Sequence, residues 1–232
     1  MELDGARFLV AGASGELGGR LARGLQSRGA QVAAAGRDRE RLGAVCAQLA
    51  SKPIELELTD PESCESAIDG AIGLLGGLDG LVIATGAVAF GRSGEIDRAA
   101  ERKMLDVNAR GPIDLIAAAL PRFEPGGAVV GLSAVVAEFP TAGMAAYSAS
   151  KAAFSAYLEA LRRERRKQLE VVLDVRPGHM ETGFATRALA GEAPKLPEPG
   201  SADELIARIL DAVETGGREL SYDPRTRELT LG

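Results

Sequence analysis

The strongest constraint on the fold is an alternation. Short apolar runs rich in β-branched residues take turns with longer segments of helical period, the signature of βα units on a parallel sheet. The predicted strands are "RFLVA" (7–11), "QVAAA" (31–35), "IELEL" (54–58), "LVIA" (81–84), "AVVGLS" (128–133) and "VVLDV" (171–175). Leu17, Leu21 and Leu25 line one face of the first helical segment, and Leu42, Val45 and Leu49 do so in the second, so each crossover can cover the sheet. Two longer helices are expected over 97–121 and 145–168, and a later one opens on "SADE", where Ser201 and Glu204 form a capping-box pattern. Between them the Pro- and Gly-rich segment 178–200 suits a mobile flap. The expectation is an α/β fold: one doubly wound parallel sheet of about seven strands with helices on both faces, spanning 1–232 as one domain.

"LVAGASGELGGRLARGL" (9–25) sets Gly12, Gly15 and Gly18 after the first strand and at the mouth of a helix. A sharp turn, close approach of a pyrophosphate to bare backbone, and tight helix-to-strand packing each require a missing Cβ there. The N–H groups at the helix start then hold phosphate, as in a Rossmann-type dinucleotide site, with contacts expected from Gly12, Ser14, Gly15, Leu17 and Gly18. After the second strand the chain reads "AAAGRDRERL". Gly36 leaves room where an acid would bond a free 2′-hydroxyl, and the Arg37 fork suits a 2′-phosphate, so NADP is favoured over NAD. Asp38 and Glu16 are nearby acids that oppose this choice.

"AYSASKAAF" (146–154) places Tyr147 and Lys151 at i and i+4, on one helix face. A free phenol titrates near ~10, and a neighbouring ammonium favours its ionised form, which would let Tyr147 exchange a proton with a carbonyl oxygen. With the glycine turn and the "GR" after the second strand, these residues resemble the short-chain dehydrogenase/reductase family. The likeness extends to "LDVNARGP" (105–112) and "RPGHMET" (176–182). It implies an NADPH-dependent reductase, reversible as an alcohol dehydrogenase, acting on a small carbonyl or alcohol substrate. Tyr147, Lys151, Ser133 and Asn108 would be its catalytic residues, with Lys151 on the nicotinamide ribose and Asn108 anchoring a water. Further cofactor contacts would come from Leu58, Gly86, Tyr147, Pro177, Gly178 and Thr182.

The pattern departs from the family at two places. The family serine that holds the substrate oxygen falls on Ala134 in an ungapped overlay, with Ser133 one residue early. Side chains alternate along a strand, so Ser133 can take that role only if the strand ends before it or the following loop absorbs a residue. "IATG" (83–86) stands where the family usually has N-N-A-G, so Ile83 and Ala84 replace asparagines while Gly86 is kept. A competing reading is therefore an NADP-binding regulatory or scaffold protein whose chemistry has decayed.

Composition narrows the partners. A net charge of −6 opposes non-specific attraction to nucleic acid or anionic lipid. No apolar run approaches the ~20 residues of a membrane helix, and "MELDGARFLV" lacks a basic leader, so a cytoplasmic protein is expected. Cys46 and Cys64 read as buried free thiols, and a single histidine, His179, excludes a multi-histidine metal centre. "RRERRK" (162–167) reads as a solvated helix end, and the outward faces of the two long helices suggest a homodimer or homotetramer.

Overall fold

The computed structural model describes residues 1–232. Its strands are β1 (Arg7–Ala11), β2 (Gln31–Gly36), β3 (Pro53–Glu55), β4 (Gly80–Ile83), β5 (Gly127–Leu132), β6 (Leu169–Arg176), β7 (Glu219–Asp223) and β8 (Glu228–Leu231). They form one sheet in the order β3-β2-β1-β4-β5-β6-β7-β8. All neighbours run parallel except β7 and β8, an antiparallel hairpin. The expected doubly wound sheet is therefore present, with one added antiparallel edge strand and a third strand shorter than "IELEL" suggested.

The helices are α1 (Glu16–Ser27), α2 (Arg39–Leu49), α3 (Pro61–Leu75), α4 (Arg98–Leu105), α5 (Gly111–Ala119), α6 (Ala145–Glu164) and α7 (Ala202–Thr215). Their starts follow from local chemistry. Asp38, Asp60 and Ser201 accept hydrogen bonds from the N–H groups of Arg41, Glu62 and Glu204, satisfying donors that a helix end leaves open. Gly76 and Gly216 close α3 and α7 in the left-handed conformation.

The core lies on both faces of the sheet. Phe8, Val10, Val82, Val130 and Leu173 pack toward α1 and α7, whereas Leu9, Leu81, Ile83, Val129 and Val172 pack toward α3, α5 and α6. Every residue of β4 and β5 is buried, as expected of strands covered on both faces. The expected helix over 97–121 is not continuous. A π turn at Asp106–Arg110 separates α4 from α5, with Gly111 N–H donating to the Asp106 carbonyl. No helix is long and apolar enough to cross a membrane.

Candidate active site

The sheet order reverses between β1 and β4, and a ligand crevice opens beyond the carboxyl ends of strands at such a switch point. Gly12, which follows β1, has φ +87°, and a Cβ there would lie 2.8 Å from the main-chain carbon of Ala84. A Cβ on Gly18 would collide with the Gly12 carbonyl, and one on Gly36 would reach Ser14 Oγ at 2.8 Å. The spaces left by these three missing side chains bring bare backbone to one edge of the crevice. No side chain caps α1, and the N–H groups of Ser14, Glu16 and Leu17 make no main-chain hydrogen bond. That edge fits the pyrophosphate of a dinucleotide.

Beyond β2, Arg37 is exposed and makes no salt bridge, while both nearby acids are engaged elsewhere. Asp38 caps α2 and pairs with Arg41, and Glu16 pairs with Arg20. Leu58 buries its side chain in the core beside Gly111, which leaves only its main chain for a ligand. Gly86 lies beneath the Phe184 ring, 3.4 Å from where its Cβ would be. The Pro177 carbonyl accepts from Val135 N–H, tying the loop after β6 to the loop after β5. The Tyr222 ring packs against Gly178, and half-buried Thr182 donates its N–H to the Met180 carbonyl.

Tyr147 and Lys151 lie in the first turns of α6 and are both buried. Lys151 Nζ donates to the Leu132 carbonyl at 2.8 Å and to the Thr85 carbonyl at 3.5 Å, which moors the ammonium between the ends of β5 and β4. Burial lowers its pKa from 10.5 to about 8, a shift that the charge of Asp174 partly opposes. Burial pushes the Tyr147 phenol upward in the ligand-free protein.

Asn108 occupies the π turn and is fully enclosed. Its Nδ2 donates to the Ala87 carbonyl and to Ser150 Oγ, and its Oδ1 accepts from Ala87 N–H. The side chain thus ties the π turn to the segment after β4 and to α6, with both of its amide N–H donors engaged.

Ser133 does not supply the substrate donor that its position suggested. It continues the β5 face that carries Val129 and Gly131 toward α6, and its hydroxyl donates to Asp174 Oδ1 on β6 at 2.5 Å. The backbone is extended at Ala134, with φ −175°, so the next side chain turns the other way. Ala134 joins an apolar cluster with Val88, Phe90, Met104, Val136 and Tyr147. A methyl group stands beside Tyr147 where the family carries a hydroxyl.

Asp174 escaped the sequence reading altogether. Only 1% exposed, it accepts from Ser133 Oγ, from Ser155 Oγ at 2.6 Å and from Arg176 Nε at 2.8 Å. Arg176 continues to Glu138 and Glu219. The available signal was an acid within the otherwise apolar "VVLDV", since a charge on a buried strand requires partners. His179 lines a small cavity with Met180, Leu205 and Tyr222, between the flap and β7. A cavity of about 630 Å³ sits among Arg162, Arg166 and Arg218 at the start of β6, far along the sheet from Tyr147. There Arg162 is spent on the carbonyls of Val172 and Arg218, and Arg163 on Glu159.

The short chain dehydrogenase family model matches residues 7–193, from β1 into the flap. The chain belongs to the short-chain dehydrogenase family. Among curated relatives of this dehydrogenase, an uncharacterised oxidoreductase of Myxococcus xanthus is 32% identical over 221 residues, covering 92% of this chain and 86% of its own. Another from Staphylococcus epidermidis is 26% identical over 220 residues, covering 93% and 96%. Among solved structures, a short chain dehydrogenase from Burkholderia cenocepacia in complex with NADP superposes with a TM-score of 0.80 at 28% identity, covering 92% of each chain. One from Burkholderia phymatum in complex with NAD shares the fold, with a TM-score of 0.84 at 18% identity, covering 94% of this chain and 89% of its own.

Proposed function

We propose that this dehydrogenase is an NADPH-dependent reductase that interconverts a carbonyl compound and its alcohol, with Tyr147 as the proton donor. The observation that carries the reading is the buried pair. Tyr147 and Lys151 share the first turns of α6 at the mouth of the crevice, and Lys151 is moored by two carbonyls while retaining a third N–H to offer. A bound nicotinamide dinucleotide would supply the hydride acceptor or donor. The backbone around Gly12, Ser14, Gly15, Leu17 and Gly18 would hold its phosphates, and Gly86, Pro177, Gly178 and Thr182 would border its nicotinamide half. The Lys151 charge favours the Tyr147 phenolate, and so opposes the upward push of burial when the proton leaves. Asn108 positions α6 against the segment after β4 and touches no reacting atom.

Unpaired Arg37 favours NADP, and the complex of the Burkholderia cenocepacia relative supports that choice. Fluorescence titration with NADPH and NADH tests it. The expected result is a preference for NADPH that Arg37→Ala reduces about 10- to 100-fold with NADH affinity unchanged, the loss of one charge-assisted fork. Equal affinity for both dinucleotides in the native protein would refute the assignment.

Ala134 favours a second reading, an NADP-binding protein that has lost turnover and acts by binding. Retention of both Tyr147 and Lys151 in buried positions favours the enzyme.

A further inference from the structure

The cavity at the amino end of β6 lies at the end of the sheet opposite the crevice, between the last turn of α6 and the turn from α7 into β7. Its volume of about 630 Å³ falls within the range of small-molecule sites. Arg162, which lines it, follows Tyr147 by about four turns of α6, roughly 22 Å along the axis. The two places are therefore separate.

The charges that face this cavity do not cancel. Glu159 is already paired with Arg163, and Glu170 with the N-terminal ammonium at 3.0 Å. Arg162 donates from Nε to the Val172 carbonyl at 3.0 Å and from Nη2 to the Arg218 carbonyl at 2.6 Å, bonds that fix the side chain without neutralising it. The acids on its other side, Asp174 and Glu219, both pair with Arg176. Arg166 and Arg218 are exposed and form neither an ion pair nor a side-chain hydrogen bond within the chain. Three guanidinium charges thus converge on one hollow in a chain whose net charge is −6.

Helix dipoles need fewer cations than this. Arg162 and Arg163 in the last turn already complement the C-terminus of α6, and the N-terminal ammonium donates to the Val213 and Glu214 carbonyls at the end of α7. Arg166, beyond α6, and Arg218, from the α7–β7 turn, exceed that requirement. Burial lowers the pKa of Arg162; Asp174 opposes the shift, and the charge of Arg218 adds to it. The cations repel one another, and a bound anion would relieve that repulsion.

We infer that this cavity is a second binding site, for a small phosphate-bearing anion, with Arg162 as a fixed anchor and Arg166 and Arg218 as free forks. Arg162 keeps three N–H donors that its carbonyl bonds leave unused, and its seat is already ordered. Guanidinium forks match phosphate oxygens in pairs, and a polyanion supplies each fork with a counter-charge. Leu169 and Val172 are the only apolar residues in the lining, so charge and not apolar bulk would select the ligand. The inference is independent of the reductase reading.

Titration with inorganic pyrophosphate, followed through the amide resonances of nitrogen-15-labelled protein, tests it, with ionic strength held constant by sodium chloride. Leu169, Gly216 and Gly217 line the cavity, whereas Gly12 and Gly15 report on the glycine turn, the other place suited to phosphate. The cavity amides are expected to shift saturably with a Kd at or below about 1 mM, the affinity that a few charge-assisted hydrogen bonds supply. Arg166→Gln and Arg218→Gln, both replacements of exposed side chains, should each weaken that Kd about 10- to 100-fold. Arg37→Ala should leave it unchanged. Native affinity retained in either glutamine variant overturns the inference, as do shifts confined to Gly12 and Gly15. Equal shifts produced by sodium chloride alone would mean diffuse screening and overturn it as well.

Discussion

Burial lowers the Lys151 ammonium to about 8 from its ordinary 10.5, and replacing this residue with methionine isolates what that shift does to stability. Between those two values the unfolded chain holds a proton that the folded chain has released. Folding stability therefore rises with pH across the window, and the lysine's burden is greatest below it. Worked from the two pKa values, the native protein gains about 2 kcal/mol over Lys151→Met between roughly pH 7.5 and 9.5. The thiol of Cys64, pushed up to about 11, acts the other way in its own range, as do Cys46 and Tyr147, which burial also raises. The thiols are common to both proteins and cancel in the difference, and Tyr147, raised above its ordinary 10, titrates above the window. Loss of the hydrogen bonds to the Leu132 and Thr85 carbonyls offsets the curves by about 1–3 kcal/mol without changing their relative slope. Urea unfolding of both proteins at a series of pH values, without cofactor, measures the difference directly. Parallel curves would mean that water reaches the ammonium, and would refute the picture of a desolvated lysine moored between two strand ends.

Replacing Tyr147 with phenylalanine should lower kcat for NADPH-dependent reduction by about 10²- to 10⁴-fold while NADPH affinity, read by fluorescence, changes little; unaltered turnover would remove Tyr147 from its role. Asp174→Asn should destabilise the fold by about 3–5 kcal/mol in urea unfolding, because Ser133, Ser155 and Arg176 all converge on one buried carboxylate. A loss below about 1 kcal/mol would show that the network rearranges around an amide. The exposed stripe of Ala149, Ala153, Ala156 and Ala160 on α6, together with exposed Leu105 on α4, fits pairing with a second copy of the chain. Light scattering at micromolar concentration should report a dimer or tetramer, and a monomeric mass would count against it.

Local chemistry was legible in the sequence wherever one short segment carried the whole requirement. The glycine turn after β1, the cap at Ser201, and the i, i+4 placement of Tyr147 and Lys151 each depend on bonds made within a few residues. The period-based reading also found six of the eight strands, since buried parallel strands are apolar throughout, but it missed the short hairpin of β7 and β8, whose residues are mixed in polarity. It merged α4 and α5 because a π turn leaves the hydrophobic pattern nearly intact. At that turn Asn108 bonds to Ala87 and Ser150, partners outside the helix.

The sequence by itself determined the doubly wound sheet, the glycine turn after β1 and the i, i+4 placement of Tyr147 and Lys151, and it posed the choice between Ser133 and Ala134. Only the tertiary structure decided that choice. Where a side chain points at the end of a strand depends on the strand's register and on which partner across the sheet competes for it. Asp174, forty-one residues away in the chain, is the partner that claims the Ser133 hydroxyl, leaving the Ala134 methyl beside Tyr147. Buried polar groups bond to whatever the fold brings within reach, and the sequence does not state that distance.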